Sequence, residues 1–443
     1  MRKMDRREFL KAAGISAATL PGMVSGISFG QGTQVSLKEW FLANQKELRQ
    51  VMDFIRTETK KYVDARQNTP GRLGPKLPYP YIPVSLDMGW NYLVYWDSYF
   101  ITRLLLKEGH LDAAKNMVRD FFFLIDKYGH VPNANYYLWM NISQPPLLSS
   151  MVRLINEFKE DPEFLREAYP RLKKEYDFWL SPLHLVKAKN FSQYRENGFG
   201  TAKYFGYPEN GFTQWQTEPE SGWDFTTRFE NRILDFLEVD LNSFLYRYEQ
   251  DLEWMASKQL SLPKSEAEIW AGRAKDRKVR FNKIFWDPAR NYYFDFDLKN
   301  NRPAKVWTLA GFLPIWVGVA EPEQIKGAFQ ALPKFEQPYG LSVVDQDYGI
   351  DNKQWNFPIA WPPLTWWVEE CLRAYGYTRE SDLAIMQYLE AQTRLFQKHG
   401  YLFEKYNAAT GELVPKKRRM DASHRMLGWA AGVFVDFYDL AST

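Results

Sequence analysis

Apolar residues recur at spacings of three and four along most of this chain, a pattern typical of helices that bury one face. Strand signals are scarce. The clearest is the alternating run from Tyr292 to Asp297, which follows the turn at Asp287 and Pro288 and predicts a small hairpin. The sequence therefore predicts an all-α fold with a minor β-hairpin, and helices at 111–128, 146–158, 164–180, 237–257, 266–285, 306–319, 363–375, 381–398 and 424–440.

The arrangement of these helices is predicted from their polarity. Several of them, such as 306–319, are apolar on most faces, which indicates burial between an outer layer and a central cavity. Long helices joined by aromatic-rich loops predict a toroid of two concentric helix rings with a site at one mouth. A helical solenoid would show the same periodicity, although no strict repeat is present.

The N-terminal segment, residues 1–30, is predicted to be a twin-arginine export signal. Arg6 and Arg7 precede a weakly apolar run that reaches Gly30. Pro21 and several glycines make this run a poor membrane-spanning helix, so we expect removal after export, with an uncleaved anchor as the alternative. The twin-arginine export machinery would deliver a folded protein to the periplasm or beyond. No linker divides residues 31–443, which are predicted to form a single domain.

Charge and composition limit the partners. Residues 1–30 hold five of the 57 basic and two of the 54 acidic residues, so the remainder carries 52 of each and is formally neutral. A neutral chain has no general attraction to nucleic acid or anionic lipid, so a small, uncharged or modestly charged molecule is the expected partner. The 17 Trp and 26 Tyr residues suit a cleft that stacks on sugar rings. The single cysteine, Cys371, is expected to pack in the core.

No familiar cofactor or metal motif is present. The chain lacks a phosphate-binding glycine loop, paired CxxC motifs and an HExxH motif, and its five histidines are scattered, so we expect neither metal nor cofactor. What remains is acidic and aromatic. Asp224 lies between Trp223 and Phe225, and such flanking desolvates a carboxylate and raises its pKa toward that of a general acid. Glycoside hydrolysis needs two carboxylates, so Asp224 with a partner elsewhere is a candidate pair. Capping a helix is the alternative role.

An ordered set of motifs carries a resemblance to a known family. Tyr-Trp-Asp-Ser-Tyr-Phe at 95–100 and Glu-Ser-Gly-Trp-Asp-Phe at 220–225 are the most distinctive. From about residue 80 to the C-terminus the chain resembles the trehalases, glycoside hydrolase family 37, in the motifs at 95–100, 131–135, 143–146, 220–225, 240–242, 354–358 and 404–407, followed by Gly428 and Trp429.

The resemblance implies an (α/α)6 toroid that hydrolyses trehalose or a related small α-glucoside with inversion and without a metal. Asp224 would be the acid and Glu404 the base; the position of Glu404 near the last helices favours it over Glu412. Asp97 and Asn133 could instead cap helices or form turns, and Trp355, like Trp361, could either pack behind the pocket or stack on sugar. By the same carry-over, the sugar site would be formed by Trp96, Asp97, Asn133, Gln144, Gly222 and Trp355.

The chain departs from the family at three arginines. The usual Gly-Gly-Arg-Phe element is replaced by residues 87–91, Ile142 stands before Ser-Gln-Pro-Pro where an arginine is general, and Tyr207 replaces the arginine of Arg-Pro-Glu. A bidentate arginine cannot be replaced by such residues without loss of its hydrogen bonds to hydroxyls. The pocket is therefore expected to recognise its substrate differently.

The loop at 411–421 departs as well. The family's glycine-rich loop is replaced by a stretch that carries the basic run Lys416 to Arg419. This run could be a solvated turn, or it could meet a carboxylate or sulfate on the substrate, with Asp421 or Glu412 replacing the lost acid.

Three alternatives to trehalose hydrolysis stay open at this point. A glycoside hydrolase of this kind could act on another α-glucoside or on a glycosyl-glycerate. A polysaccharide lyase on a similar toroid would use a Tyr with a His or Asn, and a sugar-binding protein would bind without turnover. The presence of both proposed carboxylates disfavours the last two.

Overall fold

The helices alternate along the chain between an outer and an inner position. The computed structural model describes residues 35–64, 74–86, 91–187, 189, 191–192, 218–350, 353–414 and 423–443. Within them, the outer layer comprises Leu37–Ala43 (α1), Gln45–Val63 (α2), Leu111–Tyr128 (α4), Pro162–Trp179 (α6), Lys264–Ile284 (α9), Pro322–Gln330 (α11) and Thr378–His399 (α13). The inner layer comprises Asp97–Lys107 (α3), Leu148–Phe158 (α5), Val239–Trp254 (α8), Leu313–Trp316 (α10), Pro362–Ala374 (α12) and Gly428–Ser442 (α14). A single helical turn, Glu218–Ser221 (α7), precedes α8 in the chain.

The inner helices form a closed ring. Each packs against the next in chain order, and α14 packs against α3. The outer helices lie against the outside of this ring, as α4 does on α3 and α5, and α13 on α12 and α14. This arrangement confirms the predicted (α/α)6 toroid.

Burial on all sides explains the composition of the inner helices. In α12, eleven of the thirteen residues are buried, and in α3 ten of eleven. A helix covered by neighbours on one side and by an outer helix on the other must be apolar around most of its circumference. Outer helices bury one face only; α6 begins at Pro162, where Asp161 accepts hydrogen bonds from the N–H groups of Glu163 and Phe164.

The junction of α14 with α3 closes the ring by backbone proximity and a buried ion pair. A Cβ added to Gly432 would lie 2.4 Å from the carbonyl oxygen of Phe100, so the two helices approach too closely for a side chain. Nearby, the Nε of Arg103 donates to the Oδ2 of Asp436, which also accepts from the Trp366 indole at 2.9 Å. Burial of a paired, hydrogen-bonded charge at this point helps fix the register of three inner helices.

Short strands lie in the loops between the helices. They pair as β1–β2, β3–β6–β7, β4–β5, β8–β9 and β10–β11, all antiparallel. Each has two residues: Leu185–Val186 (β1), Phe191–Ser192 (β2), Phe236–Leu237 (β3), Trp286–Asp287 (β4), Tyr292–Tyr293 (β5), Phe296–Asp297 (β6), Arg302–Pro303 (β7), Glu336–Gln337 (β8), Gly340–Leu341 (β9), Ile359–Ala360 (β10) and Tyr406–Asn407 (β11).

The predicted hairpin is confirmed in part. Tyr292–Tyr293 (β5) pairs with Trp286–Asp287 (β4) across the turn, whereas Phe296–Asp297 (β6) pairs with β3 and β7. The predicted helix at 306–319 is wrong: a 3-10 turn, Leu309–Phe312, leads into the four-residue α10. Pro314 has no N–H with which to continue a helix through this stretch. The other predicted helices match observed ones within a few residues, and the periodicity did not predict α1, α2, α3, α7 or α11.

Other predictions concern Cys371, the membrane and segments that the structure does not describe. Cys371 is buried in α12, where its thiol contacts the carbonyl oxygen of Phe312 at 3.5 Å. In the described part of the chain, no helix combines the length and the hydropathy needed to cross a membrane. The export signal, residues 87–90, Tyr207, the Lys416 to Arg419 run and Asp421 lie outside the described residues.

We expect Gly432→Ala to destabilise the protein by about 1–3 kcal/mol, because the new methyl group collides with the backbone of α3. Gly272→Ala in α9 is the matched control: its Cβ meets nothing within 4 Å, and alanine favours the helix by up to about 1 kcal/mol. Urea unfolding of both variants tests this. An unfolding midpoint for Gly432→Ala at or above that of Gly272→Ala would contradict the close packing of α3 and α14.

Candidate active site

A tight turn presents Asp224. The single-turn α7 is followed by Gly222, whose φ of 75° only glycine adopts without strain. The Ser221 hydroxyl accepts from the N–H of Trp223 at 3.0 Å, which tightens the turn. A Cβ on Gly222 would lie 2.7 Å from the Trp96 indole, so the backbone rests directly on that ring. The sequence Glu-Ser-Gly-Trp-Asp therefore folds as a turn braced against α3.

A fully buried arginine supports this turn from below. The guanidinium of Arg228 forms paired hydrogen bonds with Asp240 at 2.5 and 2.8 Å and with Asp295 at 2.6 and 2.7 Å. It stacks on the Trp223 indole with 4.8 Å between the guanidinium carbon and the ring centroid. The motif at 240–242 thus lies near the site because Asp240 binds the arginine that supports the turn with Asp224. This turn, residues 221–225, is called the acid turn below.

Asp224 is bound to the segment at 354–355. The Gln354 side-chain amide donates to the Oδ2 of Asp224 at 2.7 Å and to its carbonyl oxygen at 3.1 Å. Both Gln354 and Trp355 donate backbone hydrogen bonds to the carbonyl oxygen of Phe225, which has a φ of 58°. A non-glycine residue in the left-handed region is strained, and these two bonds help to hold it there.

Burial makes Asp224 an unusual carboxylate. It raises the pKa of this group to about 6; the Lys405 charge opposes that rise, and the Glu404 charge adds to it. The side chain is half-buried, so it keeps a path to solvent. A carboxyl group with such a pKa holds its proton up to near-neutral pH, as a general acid requires.

Glu404 lies on the other side of the same site. Its carboxylate accepts from the N–H of His424 at 3.3 Å and contacts the Lys405 ammonium at 3.1 Å, and 16% of the side chain is exposed. Its carbonyl oxygen accepts from the Trp429 indole at 3.1 Å. Pairing of β10 with β11 places the 404–407 segment beside the 354–360 segment, although 44 residues or more separate them in sequence.

A chain of polar contacts joins the two carboxylates. It runs from Asp224 to the Gln354 amide, from the Gln354 carbonyl oxygen to Lys405 at 2.5 Å, and from Lys405 to Glu404. Laid end to end, these contacts span at most roughly 11 Å, a limit compatible with the separation of about 6.5–9.5 Å that leaves room for a water in inverting glycosidases.

Asp97 is a third carboxylate in this site. It occupies the first position of α3 and is 3% exposed. Burial raises its pKa well above the ordinary value, and the charges of Glu404 and Asp224 raise it further. Asp97 therefore lies near enough to the other two carboxylates for their charges to act on it.

The remaining sequence-predicted site residues surround this group. Gln144 accepts from the N–H of Trp96 at 3.1 Å, and its amide nitrogen has no partner among the described residues. Asn133 donates to the carbonyl oxygen of Pro219 in α7 at 2.7 Å, while its Oδ1 is buried without a partner in the described part of the chain. The structure thus joins Trp96, Asn133, Gln144 and Gly222 to the acid turn. Ile142, where the family has an arginine, is fully buried.

A cluster of tryptophans forms the base of the site. Trp355 is fully buried and stacks on Trp361 with 3.7 Å between ring centroids and 5° between planes. It also packs against Trp96 and Trp223. Trp355 thus has the packing role that the sequence left open beside direct stacking on sugar.

Three polar residues of the site were missed as contributors by sequence reasoning: Gln354, Lys405 and Arg228. Gln354 and Lys405 belong to the quoted motifs, and a lysine directly after the proposed base was a usable signal. Arg228 lies just beyond the acid motif and carries no local signal, because its partners are distant in sequence. Among the described residues, no group of three or more His, Cys, Asp or Glu side chains is arranged to hold a metal ion.

Comparison with known proteins identifies the family. The family model for trehalase matches residues 88–212 and 212–442. The chain belongs to the trehalase family. It is 27% identical over 402 residues to a periplasmic trehalase from Salmonella schwarzengrund, covering 82% of this chain and 69% of that protein.

Solved structures support the same assignment. The neutral trehalase from Saccharomyces cerevisiae aligns with a TM-score of 0.68 and 25% identity over 80% of this chain and 72% of that one. A mannosylglycerate hydrolase of family GH63 from Thermus thermophilus shares the fold, with a TM-score of 0.60 and 19% identity over 87% of this chain and 100% of that one. The protein is therefore a glycoside hydrolase of the trehalase family, built on the toroid that both structures share.

We expect Gly222→Ala to lower kcat about 100-fold, because the methyl group would push the acid turn off Trp96 by a distance that matters for proton transfer. Gly376→Ala is the control: it has a similar φ of 82° but open space at Cβ, so it carries the backbone strain alone. Steady-state kinetics and thermal melting separate the two effects. Equal kcat values for the two variants would contradict a positioning role for the Gly222 contact.

Proposed function

We propose that this protein hydrolyses trehalose or a related small α-glucoside with inversion, with Asp224 as the general acid and Glu404 as the general base. The observation that carries the proposal is the half-buried Asp224 carboxyl, with a pKa of about 6, linked to Glu404 through Gln354 and Lys405. One protonated and one ionised carboxyl group in a single pocket is the arrangement that glycoside hydrolysis requires.

The reaction follows from these protonation states. Asp224 gives its proton to the glycosidic oxygen as the bond from that oxygen to the anomeric carbon breaks. A water on the opposite face of the sugar attacks the anomeric carbon, and Glu404 takes its proton. The exposed part of Glu404 provides access for that water.

Sugar binding is assigned to the polar groups that surround Asp224 and Glu404. Asp97, Asn133 and Gln144 would hydrogen-bond hydroxyl groups, supported by the buried Oδ1 of Asn133 and the amide nitrogen of Gln144. Trp96 would line the pocket, and Gly222 would contribute backbone. Trp355, being fully buried, would act by packing against the neighbouring indoles.

The identity of the sugar is supported by the relatives. Two of them are named trehalases, which favours trehalose. The buried Ile142 favours a second candidate, another α-glucoside or a glycosyl-glycerate, because isoleucine cannot replace an arginine's hydrogen bonds to hydroxyls. A panel of neutral and acidic disaccharides, assayed for released monosaccharide, distinguishes them.

The cellular location is part of the same proposal. The arginine pair at 6–7 and the weakly apolar run after it support export by the twin-arginine machinery, with signal removal, to the periplasm. A relative is named a periplasmic trehalase, which agrees with this location.

We expect Asp224→Asn and Glu404→Gln each to lower kcat about 10²- to 10⁴-fold, because each removes one of the two proton transfers. Glu412→Gln is the matched control, since Glu412 lies at the surface, 46% exposed, and pairs with Lys398. NMR of the product should show initial release of the β-anomer from an α-glucoside. Because the leaving glucose of trehalose keeps its α configuration, equal initial amounts of α- and β-glucose are expected from that substrate. Release of the α-anomer alone, or near-normal turnover in either variant, would refute the mechanism. An unsaturated product absorbing in the ultraviolet would indicate a lyase.

We also expect kcat/KM to fall as the pH rises through about 6. Asp224 acts only while protonated, and its pKa of about 6 places loss of the proton there. Well below that pH Asp224 is fully protonated, and well above it kcat/KM should fall about tenfold per pH unit. A pH profile of kcat/KM measures this. A rate that stays level from pH 5 to 9 would be incompatible with Asp224 as the acid.

A further inference from the structure

Lys405 is a buried cation between the two proposed catalytic carboxylates. Its side chain is 1% exposed, and its Nζ contacts the Oε1 of Glu404 at 3.1 Å and the Oε1 of Gln354 at 2.5 Å. The ammonium also lies 5.0 Å from the centroid of the Trp361 ring. Burying an ammonium is costly unless it is paired and hydrogen-bonded, so a lysine here calls for a role that an apolar residue could not fill.

The lysine determines how the Gln354 amide is oriented. An ammonium group has three donors and no acceptor, so only the carbonyl oxygen of Gln354 can face it. The NH2 group must then face Asp224, where it donates to Oδ2 at 2.7 Å. The opposite orientation would set an NH2 group against the ammonium and a carbonyl oxygen against the carboxyl group.

This orientation distinguishes the two oxygens of Asp224. Oδ2 is occupied as an acceptor of the Gln354 hydrogen bond. Oδ1 is therefore the oxygen left to carry the acidic proton of the neutral carboxyl group.

We propose that Lys405 is a positioning residue which, acting through Gln354, keeps the catalytic proton on the Oδ1 of Asp224 and stabilises the carboxylate that remains once the proton has left. The inference rests on the proposed function, because it concerns the same acid and base.

The movement of charge during the reaction explains why one cation serves both groups. Before reaction Glu404 is ionised and Asp224 is neutral. The proton of Asp224 goes to the leaving oxygen, and the proton of the attacking water goes to Glu404, so one negative charge passes from Glu404 to Asp224. Lys405 touches Glu404 directly and Asp224 through one amide, so its charge remains paired without moving.

Other charges near Asp224 set the direction of the expected effect. Glu404, Asp97 and Glu218 are the acidic groups that interact with Asp224, and Glu218 is itself paired with Lys353 at 3.1 Å. Lys405 is a cation whose charge lowers the pKa of Asp224. Its removal should therefore raise that pKa.

We expect Lys405→Met to shift the alkaline limb of the kcat/KM profile on trehalose upward by about one pH unit and to lower kcat about 10- to 100-fold. The loss should be smaller with α-glucosyl fluoride, whose leaving group needs no proton. Lys405→Arg, which keeps the charge, should keep the limb near that of the unmodified enzyme. Lys398→Met, at a surface lysine that is 58% exposed, is the matched control and should change neither value.

A second variant keeps the test decisive if Lys405→Met fails to fold. Gln354→Met leaves the contact of Lys405 with Glu404 but removes the donor to Asp224, so the same upward shift is expected. Lower activity at every pH with the limb unmoved, in both variants, would mean a merely structural role and would overturn the inference. Normal turnover by Asp224→Asn or Glu404→Gln would instead overturn the proposed function from which it starts.

Discussion

The buried guanidinium of Arg228 is the interaction on which the active site depends. It binds Asp240 at the start of one inner helix and Asp295 in a loop beyond the next outer helix, and its flat face supports Trp223. Each side of the planar group meets a partner, and every donor that faces a carboxylate is used. The turn that carries Asp224 therefore rests on a layer whose parts come from three separate stretches of the chain.

Above that layer, the site combines rigidity with opposed charge. The indoles of Trp96, Trp223 and Trp355 pack beneath the acid turn and exclude water from one side of it. The exclusion of water raises the proton affinity of Asp224, and Lys405 limits that rise so that the group remains able to lose its proton. The same hydrophobic base thus explains both the geometry and the acidity of the group.

Sequence reasoning predicted the parts that are coded locally. Helical periodicity predicted most helices of the two rings, and the same periodicity is present in α2, which was not predicted. It did not identify α3, whose residues are buried on nearly all faces although several are polar, and it wrongly extended a helix through Pro314. For the site, flanking aromatics indicated Asp224, but its link to Glu404 depends on Gln354 and Lys405, which meet where the segments of β10 and β11 pair. That contact follows from tertiary packing, which no local pattern encodes.

The closure of the ring also bears on how the molecule reaches its native state. Arg103 and Asp436, which join the first and last inner helices, are 333 residues apart in sequence. Contacts of such long separation form late and slowly, since the chain must lose the entropy of a very large loop before they contribute. During synthesis, the apolar faces of α3 and its neighbours therefore remain incompletely covered until almost the whole polypeptide has been made. Protection of these nascent surfaces from aggregation is thus a demand that the toroid places on the cell that makes it.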